Sequence, residues 1–187
     1  MSSARPDVSL IRAHIEIINK LAEPVTGQGK LVIACFGEDP DQTHPSTGKP
    51  GCPLPPTVVH AEIGDVETTV QLICNLGTAE HRNIYMPLAV FRPDLPGGKK
   101  GYEKDIVALL GIVADFDDAD AARWAERLPV PPSCVLETSA GRFQAFFLFD
   151  KPEPIDVVKP IASLLKPLLD ATMALRIARM SGASAAR

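Results

Sequence analysis

The stretch from Asp105 to Asp150 reads DIVALLGIVADFDDADAARWAERLPVPPSCVLETSAGRFQAFFLFD. It opens with an apolar run, Ile106–Ala114, whose length and branched side chains predict a buried strand. The run ends in Asp115-Phe116-Asp117-Asp118. Side chains alternate along a strand, so Asp115 and Asp117 share one side and Phe116 takes the other. Two carboxylates held together repel each other. A hard divalent cation, magnesium or manganese, relieves that repulsion. Asp118 is placed to cap a helix over Ala119–Leu128, with Ala121, Trp124 and Leu128 facing the core. After a turn at Pro129–Pro132, Cys134–Thr138 and Arg142–Phe149 read as strands joined at Ser139-Ala140-Gly141. On the second of these, Arg142 and Gln144 lie on one face and Phe143, Ala145, Phe147 and Phe149 on the other.

Upstream, Ile11, Ile15 and Ile18 make a helical stripe within Val8–Ala22, and Pro24 ends it. Lys30–Phe36 is a strand. Gly37 to Pro56, rich in proline and glycine, reads as loop. Thr57–Ile63 is a strand, and Asp65 caps a helix that runs through about Leu76. Arg82–Phe91 is a strand in which Pro87 marks an edge or a bulge. Arg92–Lys104 is a basic, glycine-rich loop. Downstream, Asp156 starts a last helix, with Pro160 in its first turn, where proline is tolerated. This order predicts an α+β domain with a mixed, largely antiparallel sheet flanked by helices.

At 187 residues the chain makes one ordinary domain, and 45% hydrophobic content supplies a core. The net charge of −4 excludes a generally basic nucleic-acid coat, so polyanion binding must come from a local patch. The cysteines Cys35, Cys52, Cys74 and Cys134 form no CxxC pair. They read as reduced, mostly buried thiols of a cytoplasmic protein. No apolar run reaches the ~18 residues of a membrane span.

Three segments together carry a resemblance: HRNIYMPLAVFRPDL, the DFDD after an apolar strand, and LETSAGRFQAFFLFDKP. They resemble the RepB-type primase domain of plasmid and phage replication proteins, within the archaeo-eukaryotic primase superfamily. The resemblance covers roughly His60 to Lys166, with the motifs in about 57–150 of a single domain over 1–170. It implies an RRM-like catalytic sheet and template-directed nucleotide addition with Mg2+ or Mn2+. It places the metal ligands at Asp115 and Asp117 and the triphosphate beside Ser139, Gly141 and Gln144. Arg142, on the same strand face as Gln144 just past the turn, is a further candidate for the triphosphate from the residues alone. Many members of that superfamily carry histidine where Gln144 stands. The implied partners are a single-stranded DNA template, nucleoside triphosphates and a replicative helicase. Arg82, Arg92, Lys99 and Lys100 are the candidate DNA contacts, the two lysines lying between glycines that let backbone approach a phosphate.

The family's third acidic residue has no match after Asp150. The tail 171–187, ATMALRIARMSGASAAR, holds no acid and no aromatic residue. A one-base shift of frame from the Asp170 codon permits both, so the tail reads as frame-shifted or truncated and disordered. A weak or inactive transferase is the corresponding expectation.

Plainer readings stand beside these. Asp117 and Asp118 can simply cap the following helix. Ser139-Ala140-Gly141 can be only a hairpin turn. The two lysines suit a solvated loop, and Arg82 and Arg92 suit the hydrated ends of a strand. Two other functions fit the same residues: an RRM-like sheet that binds single strands without chemistry, and a metal-dependent phosphoesterase.

Overall fold

A computed structural model describes residues 7–78, 82–116, 130–139, 142–168 and 174–176. Helix α1, Val8–Ala22, begins where the Asp7 carboxylate accepts from Ser9 N at 3.0 Å and Leu10 N at 3.2 Å. Such a cap satisfies amides that the first turn leaves without partners. Helix α2, Val66–Leu76, is capped in the same way by Asp65, which accepts from Thr68 N at 3.1 Å. The stripe of α1 buries Ile15 and Ile18, and α2 buries Val70 and Ile73. Both helices pack on one face of a sheet against Leu31, Ile33, Val90, Leu110 and Phe146. Helix α3, Ile155–Leu168, covers the other face, where Val158 and Ala162 meet Phe91, Leu109 and Ile112. Pro160 is the sixth residue of α3, beyond the first turn expected for it, so the helix does without the bond its N–H would have given Asp156.

The strands are β1 Lys30–Thr43, β2 Pro50–Pro53, β3 Thr57–Glu62, β4 Arg82–Tyr85, β5 Ala89–Phe91, β6 Ile106–Phe116, β7 Cys134–Ser139, β8 Arg142–Glu153 and β9 Ala174–Arg176. Their order is β2-β1-β5-β6-β8-β7, with β3 and β4 also on β1 and β9 on β6. Every pairing among the described residues is antiparallel. The α+β class is as expected. The expected strand over Arg82–Phe91 is present but interrupted at Met86–Leu88, around Pro87. The helix expected over 119–128, with Trp124, lies outside the described residues.

One expectation is corrected. The supposed loop from Gly37 to Pro56 contains the second half of β1 and all of β2. They pair Glu38 with Pro53, Asp39 with Cys52 and Thr43 with Pro50. This ribbon stands clear of the core and is largely exposed. It therefore needs no apolar alternation, and its prolines sit where a sheet edge tolerates them.

An irregularity in β6 decides which face its far end presents. Leu109 packs on the α3 side and Leu110 on the α1/α2 side, and Ile112 and Val113 repeat that order. Between Leu110 and Ile112 two residues change the face, which an unbroken strand cannot do. The register against β8 slips at the same place, between Leu109 and Gly111. This is a bulge, and Gly111 fits it. A Cβ at Gly111 would lie 2.6 Å from Phe147 O and 3.0 Å from Leu88 Cδ1.

Candidate functional site

Past the bulge, Val113 belongs to the α1/α2 side, and Asp115 follows two residues later on the same face. The β6–β8 register sets Asp115 opposite Gln144, two residues before Phe146 on that same face. Opposed residues on neighbouring strands bring their Cβ atoms to about 5 Å. Asp115 is 8% exposed and Gln144 is half-buried. At the hairpin end Ser139 pairs with Arg142, and Leu136, 53% exposed, lies beside Gln144 on β7. The backbone therefore brings Asp115 of one predicted motif and Gln144 of the other onto one face, which is exposed at Leu136 on the β7 side. Asp117 and Gly141 lie outside the described residues. On its other edge, β6 pairs Asp115 with Ala174 of β9, so a short strand inside the atypical tail borders this end of β6.

His14 joins this face from α1. Its ring meets Phe146 edge-on, 6.4 Å between centroids at 79°. Desolvation there holds the imidazole below its usual pKa, although part of the ring stays exposed. The sequence reading missed His14, yet a signal existed: it falls on the helical stripe of Ile11, Ile15 and Ile18.

The candidate DNA contacts do not share one surface. Arg82 precedes Ile84 by two residues and so lies on the α1/α2 face. Its Nη1 donates to Pro55 O at 3.3 Å and Thr57 Oγ1 at 3.4 Å. Lys99 and Lys100 lie on the opposite face. His60 Nε2 donates to the Lys99 carbonyl at 2.7 Å, and Lys100 Nζ stands 5.9 Å above the Phe36 ring centroid. Partial burial lowers the Lys100 pKa.

Arg92 sits at the far end of β6 from Asp115, roughly 30 Å away at the rise of a strand. Its guanidinium donates to Asp105 Oδ1 at 2.7 Å and Asp94 Oδ2 at 2.6 Å. Those bonds raise the pKa of Arg92. The bond from Arg92, with that from the Tyr102 N–H, lowers the pKa of Asp105. Arg92 therefore closes the base of the 92–104 loop. Lys30 Nζ, donating to Leu95 O at 2.9 Å, and Lys159, bonded to Glu103 at 2.6 Å, pin the loop further.

A cleft of about 820 Å³ opens where the ribbon leaves the sheet, lined among others by Phe36, Gly37, Glu38, Arg82, Asn83 and Tyr85. Phe36 and Tyr85 are diagonal neighbours across β1 and β4, with centroids 5.6 Å apart at 63°. Sequence reading did not find this cleft, because most of its lining comes from the segment read as loop.

Among the described residues no group of three or more histidine, cysteine, aspartate or glutamate side chains is arranged to hold a metal ion. Nor, among them, is any helix long and apolar enough to cross a membrane. Comparisons of the chain with protein families, curated proteins and solved structures find no match.

Proposed function

We propose that this chain is a primase-type nucleotidyltransferase domain, dependent on Mg2+ or Mn2+ and acting on single-stranded DNA in plasmid or phage replication. One observation carries the reading: the register that sets Asp115 against Gln144 and Ser139 against Arg142 on adjacent strands. Two motifs distant in the chain meet as a shared site requires. The donors fit a hard cation as far as they are described, since Asp115 offers a carboxylate and Gln144 an amide oxygen on one face. Asp115 and Asp117 would hold the ion, which when bound supplies Lewis-acid stabilisation of the transferring phosphoryl group.

In the proposed reaction a primer 3′-hydroxyl gives up its proton to solvent and its oxygen bonds to the α-phosphorus of a nucleoside triphosphate. The bond from that phosphorus to the bridging oxygen breaks, and pyrophosphate leaves. Arg142 and Gln144 are assigned to the triphosphate, Arg142 by charge and Gln144 by hydrogen bonds from its amide. The apolar neighbours Phe146 and Val113 lower the local dielectric and strengthen each of these contacts. Arg82 is the predicted DNA contact that shares this face.

The test is primer extension on a single-stranded template with Mg2+ or Mn2+, read as pyrophosphate release. Asp115→Asn and Asp117→Asn are each expected to lower it by more than about 100-fold, the upper range for losing a residue that merely supports a metal ligand. Parent-like extension by a folded Asp115→Asn variant refutes the assignment. Shortening of the strand without pyrophosphate release identifies a phosphoesterase instead. Strand retention without either reaction identifies a binding module, a reading that the cleft around Phe36 and Tyr85 favours.

A further inference from the structure

We propose that the cleft between β4 and the β1–β2 ribbon binds an unpaired nucleic-acid strand, stacking bases on Tyr85 and Phe36 and placing phosphates at Lys100 and Arg82. This goes beyond the transferase reading and does not rest on it, since Phe36 and Tyr85 face the side of the sheet opposite Asp115. β1 and β6 both run antiparallel to β5, so Phe36 and Asp115 nevertheless lie toward the same end of the sheet.

The chemistry of the walls selects this occupant. Tyr85 is 44% exposed, a large aromatic surface left to solvent on a strand whose neighbour Ile84 is packed into the core. Bases of any identity stack on such a ring. Lys100 is already poised over the Phe36 ring, and the hydrogen bond from His60 to the Lys99 carbonyl fixes the loop that carries it. Arg82 stands opposite Gly37 on β1. Both Gly37 and Arg82 belong to the cleft lining. Asn83 adds an amide that can donate to and accept from a base edge.

Acidic residues of the ribbon stand nearby, and Glu38 itself lines the cleft. Glu38 folds its carboxylate against β2, where a Cβ on Gly51 would be 3.0 Å from Oε2. Asp39 accepts from Asp41 N at 3.1 Å and Gln42 Nε2 at 2.7 Å. Lys100 stands over the Phe36 ring and Arg82 belongs to the lining from the opposite face, so the two cations approach the cleft from different sides and are not gathered on one point. This favours a strand over a free nucleotide.

The experiment is fluorescence anisotropy of a labelled 12-nucleotide oligo-dT, with oligo-U and dTMP as competitors, in the presence of chelator. Chelation keeps failure of the metal site from affecting the result. Tyr85→Ala should weaken binding roughly 5- to 150-fold, the range for losing one stacked base, whereas Tyr85→Phe should stay within about twofold. Lys100→Ala should make the slope of log affinity against log salt shallower by about 0.7, one single-strand phosphate contact. Oligo-U competing as well as oligo-dT assigns the cleft to unpaired strands of either sugar. Parent-like binding by Tyr85→Ala, or no binding by the parent chain, overturns the proposal. So does dTMP competing as well as the oligonucleotide, because the cleft is then a mononucleotide site.

Discussion

Gly111→Ala tests the bulge that orients the end of β6. The added methyl would sit 2.6 Å from Phe147 O, 3.0 Å from Leu88 Cδ1 and 3.2 Å from Leu148 Cα. Leu88 can turn away, but a carbonyl oxygen held in the β6–β8 ladder cannot move unless the strand moves. Overpacking of this kind costs about 1–3 kcal/mol, and a backbone clash places the cost near the upper end. For a chain of this size each kcal/mol lowers the melting temperature by ~2–4 °C, so a drop of ~6–12 °C is expected. Gly97→Ala is the control: a Cβ there meets nothing within 4 Å. It should be neutral or stabilise by up to about 1 kcal/mol through the unfolded state. Scanning calorimetry of the three chains measures both effects. Hydrogen exchange should show the loss at Gly111 spreading to the amides of Phe146–Leu148. Melting of Gly111→Ala within about 1 °C of the parent would refute the close packing of the bulge and the face assignment built on it.

Two further outcomes follow from single side chains. Asn19, 7% exposed, donates to Ile15 O at 2.9 Å and accepts from Gly64 N at 2.6 Å. Asn19→Ala should therefore cost about 2 kcal/mol, read as a lower denaturant midpoint at unchanged slope. Asp105 is held below the usual carboxylate range, chiefly by Arg92. Its contribution to stability is full above the unfolded carboxylate's pKa of about 4 and is lost as pH falls through the depressed folded value. Asp105→Asn should thus flatten the acid limb of the stability curve below about pH 4. An acid limb identical to the parent's would remove the Arg92 clamp.

The elements legible in the sequence are those whose side chains face a core. Ile106–Ala114 and Arg142–Phe149 announce buried strands by composition, and Asp7 and Asp65 cap helices placed by periodicity. The resemblance implies roles for Asp115 and Gln144 but not their neighbourhood, which comes from the β6–β8 register that sets them opposite each other. What stayed hidden obeys no periodic rule. Simple alternation from Leu109 would send Asp115 to the α3 side, and only the bulge returns it to α1 and α2. Arg92, Lys99 and Lys100 read as one basic loop, yet that loop spans from the far end of β6 to the face opposite Asp115. Charge composition carries no information about which face a loop folds over.

The ribbon of β1 and β2 has a thermodynamic consequence for the cleft it borders. Its outer residues are almost all exposed, and a two-stranded ribbon alone is marginal in water. Its opening free energy is therefore a small part of that of the whole domain, and it forms a local unit that melts first. Glu38, Pro40, Pro50, Gly51 and Pro53 all belong to the cleft wall. One wall thus consists of the least stable segment of the sheet, while Phe36 and Tyr85 sit beside its most buried part. Any ligand held there draws part of its binding free energy off to order the wall, and the amides of Glu38–Thr43 become the most sensitive reporters of occupancy.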